Sequence, residues 1–389
     1  MQQCVAGGPP DLDLARSLAL DNCSAELFSI VAEGLADRFE PRLCDVYADV
    51  FSVILASVSP HYEAAELRDR YERIRQPRAC RSSPERVAVL SRVTLGADIA
   101  VTSVLLDAAK QRFPHARIVL AGSAKTAGLF AADPRIEHLS VRYPRSGSFG
   151  ERLDVTRKLA ETINVPGTLV LDPDSRLTQL GLIPVCAEDH YFFFESRAYG
   201  GETAETLPQL AARWCEAVLQ TPRARPFLAL SPEPLSGPPP RIAVSFGVGE
   251  NPAKRIAGPF EAGLLKYLGS LGGTLIIDQG AGGEEAERVD RALSESGVQA
   301  QRWTGSFAGF AALISQCGLY TGYDSAGQHA AAALGVPLVT VFSGHVSERM
   351  FQRWKPSGTG RIVCVKVEPS IPAEVLRQTI EAIEKIRRP

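Results

Sequence analysis

The chain has 389 residues, of which 45% are hydrophobic and 22% charged, and its formal net charge is −2 at pH 7. This length exceeds that of one ordinary domain and the composition is that of a globular protein, so we expect two or three folded domains. The balanced charge excludes a general attraction to nucleic acid or to anionic membranes.

Cysteine usage and hydropathy predict a cytoplasmic protein. The eight cysteines are scattered without a CxxC pair, which argues against a zinc site and for reduced, mostly buried thiols. Residues 1–13 lack the basic and apolar segments of a signal peptide. The longest apolar runs, such as 53–58, are far shorter than the roughly 20 residues that cross a bilayer. We expect at most peripheral membrane contact and no metal site.

The first 82 residues predict helices and no strand. Apolar residues recur at three-to-four spacing in four segments, 11–20, 24–39, 43–57 and 62–75. Residues 1–80 contain 13 Asp or Glu and 8 Lys or Arg, so this region is acidic. We interpret it as a helical cap or a dimerisation module, and docking of a partner is the alternative.

The next region, 83–235, alternates strands with helices. The predicted strands are 86–92, 117–121 and 167–172, and the predicted helices are 98–113, 125–131 and 204–220. Parallel strands joined by crossover helices predict a layered α/β sheet. The proline-rich stretch 222–240 is extended and predicts the inter-domain linker.

The last region, 236–389, repeats this alternation. The predicted strands are 241–246, 274–278 and 300–303, the predicted helices are 259–271, 307–316 and 373–387, and a glycine-rich loop from 279 enters a further helix. Two similar α/β domains joined by a linker predict a cleft between them. Ligands of open parallel sheets bind beyond the carboxyl ends of the strands.

The segment 318–343 predicts a strand, a tight turn, a short helix and a second strand. Ser325 and Gln328 form a capping-box pattern at the helix start, and Gly335 followed by Pro337 ends the helix. The run 338–342 is wholly apolar, as in a strand buried on both faces. The helix therefore begins at the carboxyl end of a strand, where free N–H groups and the helix dipole favour an anion such as a diphosphate.

The common nucleotide and hydrolase motifs are missing. The GxxxxGK[ST], GxSxG and HExxH patterns are absent, and two GxG starts have Pro252 and Glu285 where GxxG would need glycine. A P-loop protein and a dinucleotide dehydrogenase are therefore unsupported.

Three segments, in this order, resemble the family 9 glycosyltransferases, the lipopolysaccharide heptosyltransferases. TLGADIAVTSVLLDAAKQRFPHARI is similar to the family's Leu-Gly-Asp turn and helix, ENPAKRIAGPFEAGLLKYL to its Ala-Lys-Arg-Trp-Pro phosphate loop, and YDSAGQHAAAALGVPLVTVFSG to its Asp-Thr-Gly-x-x-His motif. GAGGEEAERV is a weaker match to the loop near the donor ribose. The resemblance covers residues 86–345 and leaves out the first 82.

The resemblance implies the α/β GT-B architecture, two Rossmann-like domains facing across a cleft, here with an extra N-terminal helical region. The domains are 1–82 (helical), 83–235 (acceptor side) and 236–389 (donor side). It implies inverting, metal-independent transfer of a sugar, heptose above all, to an acceptor hydroxyl in lipopolysaccharide biosynthesis. The donor is a nucleotide diphosphate sugar such as ADP-heptose, and no cofactor is expected. The acceptor is a glycan, a lipid-linked molecule or a protein, no nucleic acid is expected, and the N-terminal helices offer a surface for a homo-oligomer or a partner.

The resemblance assigns the catalytic base to Asp98. An inverting transfer needs a carboxylate that takes the proton of the acceptor hydroxyl. The family has Gly directly before this Asp, whereas here Ala97 stands between Gly96 and Asp98. The alternative is that Asp98 is the N-cap of helix 98–113.

The resemblance assigns a larger set of residues to the donor: Lys254 with Arg255 for the diphosphate or sugar, Asp324 for the sugar, the backbone of Ser325, Ala326 and Gly327 for the diphosphate, Glu284 or Glu285 for the ribose, and His329 as a further contact. Several of these residues have a structural alternative. The basic pair is a solvated surface pair, the serine an N-cap, the glutamates an acidic first helical turn, and the histidine a helix residue packed against the sheet.

Arg176 and Arg197 are candidates for the acceptor side, because they lie near aromatic residues and predicted strand ends of the first α/β domain. The alternative is a buried Arg–Asp pair that braces long loops. Two other functions stay open for the whole chain: a nucleotide-sugar epimerase of the GT-B type, and a degenerate family member that acts as a binding or scaffold subunit.

Overall fold

The computed structural model describes residues 2–20, 26–249, 251–280, 282–367 and 371–388. Cys23 and the start of the predicted helix 24–39 lie outside them. The chain forms two compact units: the first comprises residues 1–127, 134–225 and 347–354, and the second comprises 128–133, 226–346 and 355–389. This division places the N-terminal helices in one unit with the first sheet, whereas the sequence predicts a separate region over 1–82.

The first unit contains a five-stranded, fully parallel sheet in the order β3-β2-β1-β4-β5. Its strands are β1 (Arg86–Leu90), β2 (Arg117–Gly122), β3 (Ile136–Ser140), β4 (Thr168–Asp172) and β5 (Tyr191–Phe193). The central strands β1 and β4 are almost wholly buried, which explains their continuous apolar runs. The predicted strands β1, β2 and β4 are confirmed.

The helices of this unit include four in the N-terminal region, as predicted. Its helical segments are Gln2–Val5, Leu12–Leu20, Leu27–Ala32 (a π-turn) with Glu33–Ala36, Pro41–Val58, Ala64–Ile74, Leu95–Ala97 with Asp98–Thr102 (a π-turn) and Ser103–Arg112, Ala124–Gly128, Phe149–Ile163, Leu207–Leu219 and Glu348–Trp354. The last of these comes from far along the sequence. It is held by Arg353, which is fully buried and donates to the carbonyl oxygens of Thr203 and Glu205, both at 2.6 Å.

The N-terminal helices share a hydrophobic core with the first sheet. Leu43 and Phe51 of the helix Pro41–Val58 belong to the same buried cluster as Val170 of β4 and Phe193 of β5. Polar contacts add to this packing, since Arg70 donates to the carbonyl oxygen of Gly181 at 2.7 Å. Burial of these apolar side chains is what holds the helical region on the sheet.

The second unit contains a six-stranded, fully parallel sheet in the order β11-β10-β9-β6-β7-β8. Its strands are β6 (Arg241–Ser245), β7 (Thr274–Asp278), β8 (Gln301–Trp303), β9 (Leu319–Tyr323), β10 (Leu338–Phe342) and β11 (Ile362–Lys366). Its longer helices are Phe260–Ser270, Glu284–Ser296, Phe307–Ile314, Ala326–Ala333 and Pro372–Arg387. The predicted strands β6 to β10 and these five helices are confirmed.

The strand order of the second unit reverses between β6 and β9. From β6 the chain proceeds outward through β7 and β8, then returns to place β9 on the other side of β6. Ligands of open parallel sheets bind beyond the carboxyl ends of the strands at such a switch point. The two strands lie close there, because Ser245 pairs with Gly322 and a Cβ atom at 322 would overlap the carbonyl oxygen of Ser245.

Seven of the eight cysteines lie in the described part of the chain, where none forms a disulfide and five are buried, in line with the prediction. No helix among the described residues has the length and apolar character needed to cross a membrane.

Candidate functional site

The helix Ala326–Ala333, here called the site helix, begins directly after β9 at the switch point. Ser325 is its N-cap in an extended conformation, but the predicted capping box is wrong because the serine side chain accepts no helical N–H. Gln328 turns instead toward Asp324 and Thr340. A buried amide is better satisfied by those two buried partners than by the backbone of an N-cap.

The first turn of the site helix lies over a buried tyrosine. A Cβ atom at Gly327 would overlap the hydroxyl oxygen of Tyr320, which is fully buried on β9. Glycine therefore lets the helix start close to the sheet edge. The first N–H groups of a helix have no acceptor within it, so those of Ala326 and Gly327 are the predicted anion donors.

Residues 251–256, here called the site loop, follow β6 and are fixed on the ends of β9 and β10. The loop contains one 3₁₀ turn, Pro252–Lys254, that the Asn251 side chain caps. The N–H of Ile256 donates to the Tyr323 hydroxyl at 3.2 Å, and the Ser343 hydroxyl donates to the carbonyl oxygen of Lys254 at 2.6 Å. These two hydrogen bonds fix the backbone of the site loop and so position the Cα atom from which the Lys254 side chain extends.

Lys254 and Asp324 form a nearly buried ion pair at the start of the site helix. The ammonium nitrogen Nζ lies 2.7 Å from Asp324 Oδ2 and donates to the Asp324 carbonyl oxygen at 3.0 Å. The two side chains are 17% and 5% exposed. Burial raises the pKa of the Asp324 carboxyl, and Lys254 and Gln328 act against that rise. The predicted donor residues 254 and 324 thus lie in direct contact, and the solvated-pair alternative does not describe Lys254.

His329, the second residue after Gly327 in the site helix, is buried. Burial, with a smaller repulsion from Lys254, lowers its pKa to about 3, so the ring is neutral at pH 7. Its side chain is 4% exposed, which agrees with the packed-helix alternative, and its predicted ligand contact stays a prediction.

Arg255 pairs with the first predicted ribose residue. Its guanidinium Nη1 lies 2.6 Å from Glu284 Oε1, and the two side chains are 16% and 75% exposed. Glu285 follows in the same first helical turn, and its carboxylate lies against Gly280. The acidic-first-turn alternative is therefore present, and the ribose role of these glutamates stays a prediction.

Sequence reasoning missed a brace beneath the site loop. Glu261 accepts hydrogen bonds from the Tyr323 hydroxyl at 2.9 Å and from Arg288 at 2.5 Å, and it is buried. Phe260 stacks on the Tyr323 ring with centroids 5.9 Å apart. No local sequence pattern predicts these hydrogen bonds, since Glu261, Arg288 and Tyr323 come from separate parts of the sequence.

Asp98 of the first unit is fully buried and accepts hydrogen bonds on both carboxylate oxygens. Its donors are the Ser91 hydroxyl (2.8 Å) and the Thr126 hydroxyl (2.9 Å) on Oδ2, and the Arg92 N–H (2.7 Å) and the Thr102 hydroxyl (2.8 Å) on Oδ1. Burial raises its pKa, and these bonds act against the rise. Because the helix begins at Leu95 with Thr94 as its N-cap, the N-cap alternative for Asp98 is wrong. The base role stays a prediction.

A π-turn covers Asp98–Thr102, directly after the extra residue Ala97. A π-turn contains one residue more per hydrogen-bonded ring than an α-turn, so it takes up a single inserted residue while the helix that follows keeps its register. The π-turn thus accommodates the extra residue Ala97 by which this chain differs from the family pattern.

The two acceptor-side candidates form ion pairs within the first unit. Arg197 lies 2.5 Å from Asp174 Oδ2, with side chains 8% and 2% exposed, and Arg176 lies 3.2 Å from Glu33 Oε1. The buried Arg–Asp pair offered as the alternative is therefore present, and a role in acceptor binding stays a prediction.

The two parallel α/β units and a site at the switch point of the second define the class of fold: the chain has the α/β GT-B fold. It is similar in structure to the glycosyl transferase family 9 protein from Veillonella parvula DSM 2008 (TM-score 0.59, 17% identity, 78% of this chain and 99% of that chain). It is also similar to E. coli ADP-heptose lps heptosyltransferase II (TM-score 0.52, 18% identity, 77% and 98%) and to E. coli heptosyltransferase WaaC with ADP (TM-score 0.56, 16% identity, 77% and 99%). At these identities the similarity concerns the fold.

The sequence adds a match to a family model over part of the chain. Residues 279–375 match the model of glycosyltransferase family 9 (heptosyltransferase), a segment that holds the site helix and Glu284. The resemblance to family 9 predicted from the motifs is therefore confirmed for this segment. Comparison with curated proteins gives no significant match.

Proposed function

We propose that this protein is a glycosyltransferase that moves a sugar, in the first instance heptose, from a nucleotide diphosphate sugar to an acceptor hydroxyl with inversion and without a metal ion. The observation that supports this most is the Lys254–Asp324 pair at the start of the site helix. Two E. coli proteins of the same fold are an ADP-heptose lps heptosyltransferase and a heptosyltransferase with ADP, which favours an adenine nucleotide as the first ligand to test.

The chemistry of the leaving group explains the arrangement. When the anomeric bond breaks, negative charge develops on the departing diphosphate and must be stabilised. In the proposal, the N–H groups of Ser325, Ala326 and Gly327 and the Lys254 ammonium supply positive charge there. An ammonium has three hydrogens, and among the described residues Asp324 accepts two of them, which leaves one for a ligand oxygen.

The proposal keeps Asp98 as the base. For the acceptor hydroxyl to reach its carboxylate, one of the four donors described above must give up its place. The proposal assigns Asp324 to the sugar, Arg255 to the diphosphate, and Glu284 or Glu285 to the ribose.

Isothermal titration with ADP, GDP, UDP and CDP tests the donor site. We expect one of them to bind, and Lys254→Met to weaken that binding by at least about tenfold, since a charge-assisted bond to phosphate is lost. Lys266→Met is the matched control, because Lys266 is an exposed lysine on a helix of the same unit. No binding of any nucleotide, or equal binding by the Lys254 variant, would contradict the proposal.

A binding subunit without turnover is the second candidate, and the buried, fully engaged Asp98 favours it. The two functions separate in one assay: a subunit binds the nucleotide sugar and releases no nucleotide with any acceptor, whereas an enzyme releases nucleoside diphosphate at a rate that depends on the acceptor.

A further inference from the structure

Gln328 lies at the centre of a hydrogen-bonded chain that ends at the proposed donor site. It is fully buried in the first turn of the site helix. Its carbonyl oxygen Oε1 accepts from the Thr340 hydroxyl of β10 at 2.8 Å, and its amide Nε2 donates to Asp324 Oδ1. Asp324 Oδ2 in turn contacts the Lys254 ammonium at 2.7 Å. The chain thus connects the sheet to the cation.

The orientation of this amide follows from the chemistry of its partners. An ionised carboxylate only accepts hydrogen bonds, so the NH₂ end of Gln328 must face Asp324. The carbonyl end then faces Thr340, whose hydroxyl can donate. The same nitrogen lies 3.3 Å from His329 Nε2, and the neutral ring accepts there when its proton is on Nδ1.

A neutral donor is what this position requires. Asp324 is 4% exposed, and a buried carboxylate is costly unless both oxygens are hydrogen-bonded. A second cation at Oδ1 would satisfy it too, but it would repel the Lys254 ammonium that Asp324 Oδ2 holds. The amide satisfies Oδ1 without adding charge, so the ion pair stays neutral and Lys254 keeps its two contacts with Asp324.

We propose that Gln328 is a positioning residue for the donor site: it fixes the Asp324 carboxylate, and through it the Lys254 ammonium, in the orientation that meets the diphosphate sugar. The inference rests on the proposed function. It adds a residue that the family motif leaves unspecified, between the glycine and the histidine. It also explains why the capping box does not form, because the side chain that would close it is engaged with Asp324.

The test compares ADP binding by the full chain and two variants between pH 5 and 9, with GDP, UDP and CDP in its place if one of them is the nucleotide that binds. Gln328→Met removes the donor, and we expect at least about tenfold weaker binding at every pH. Gln328→Glu restores a donor only when protonated, since two adjoining buried carboxyls share one proton. Its affinity is therefore expected to be close to that of the wild type at the acid end and at least about tenfold weaker at the alkaline end.

The other charged and titratable groups around Asp324 and Gln328 are the same in all three proteins, so the ratio to wild type at each pH reports the effect of residue 328. These groups are Lys254 of the site loop, His329 of the site helix, Tyr320 of β9, His345 after β10 and Cys364 of β11. Gln378→Met is the matched control, because Gln378 donates to the Glu374 carboxylate at 2.9 Å within the helix Pro372–Arg387.

The outcomes separate the two proposals. If the wild type binds none of the nucleotides, the proposed function fails and the role of Gln328 fails with it. If the wild type binds and the Gln328→Met variant binds equally, or if both variants show one pH-independent ratio, only the positioning role is overturned. Should the Gln328→Met variant not fold, the pH dependence of the Gln328→Glu variant decides the question.

Discussion

Replacing Asp98 tests how the first unit holds its central turn. In Asp98→Ala, four buried donors lose their acceptor: the Arg92 N–H and three hydroxyl groups. A buried group left unsatisfied costs about 1–3 kcal/mol. The N–H cannot turn elsewhere, whereas the hydroxyls rotate and recover part of the loss. We therefore expect the free energy of unfolding to fall by about 3–5 kcal/mol, a large share of the stability of a domain.

Asp98→Asn separates stability from chemistry. The amide keeps an acceptor for the Arg92 N–H and offers donors to hydroxyls that can also accept, so we expect a loss of about 1–2 kcal/mol only, from the weaker neutral bonds. If Asp98 is the base, this folded variant loses a factor of about 10²–10⁴ in transfer rate. Full activity of folded Asp98→Asn would refute the base role.

Unfolding in urea is best followed by hydrogen exchange of peptides that cover 86–112, because the chain has two units and a whole-protein signal mixes them. Asp107→Ala is the matched control. Asp107 lies on the same helix, is half-buried, and accepts from the Arg225 N–H at 3.1 Å. If the Asp98→Ala peptides exchange as slowly as those of the control, the reasoning about the four donors is refuted.

Three further predictions concern stability. Gly327→Ala places a methyl group against the Tyr320 hydroxyl and should lower the stability of the second unit by about 1–3 kcal/mol in thermal unfolding. Burial raises the pKa of Glu195 to about 7, so the folded state binds this proton more tightly than the unfolded state does. The free energy of unfolding of the first unit should therefore fall by up to about 3 kcal/mol as pH rises from about 4.5 to 7. Glu195→Gln should abolish this pH dependence. Arg353→Met removes the donor that holds the carbonyl oxygens of Gly201, Thr203 and Glu205, and it should speed hydrogen exchange of that loop by at least about tenfold.

Each of these has a control. Gly318→Ala meets only ordinary contact and should be neutral to thermal unfolding. The exposed Glu216→Gln should leave the pH profile of the first unit unchanged. Arg157→Met removes only exposed ion pairs and should leave the exchange of 201–205 as it is. Equal behaviour of a variant and its control would contradict the corresponding prediction.

Strands with long apolar runs could be predicted from the sequence, because central parallel strands are buried on both faces. Three edge strands were not predicted: β3 is mostly exposed and β11 is half-buried, so neither shows a pattern, and β5 has only three residues. The helix Phe149–Ile163 was missed although Ser148 and Glu151 form a genuine capping box at its start. That signal was available in the sequence and would have found it.

The candidate site was predictable as a set of residues and not as a geometry. The motifs place Lys254 and Asp324 beyond the carboxyl ends of the strands, and in the structure the two side chains form an ion pair. The same local rules failed for Gln328 and for Asp98, because these side chains form hydrogen bonds with partners distant in sequence, Thr340 and Thr126. Local patterns state which atoms can cap a helix, and tertiary competition decides which of them do.

The exchange of short segments between the two units has a practical consequence for anyone who wants to express them apart. A gene fragment that ends at 225 yields a first half without Arg353 and Trp354, whose partners include the loop 201–205 and the ring of Phe39. A fragment that starts at 226 carries those side chains with nothing native to cover them. To express the units separately, residues 347–354 have to be fused to the first fragment through a flexible linker. In the second fragment the same residues have to be replaced by a short polar linker.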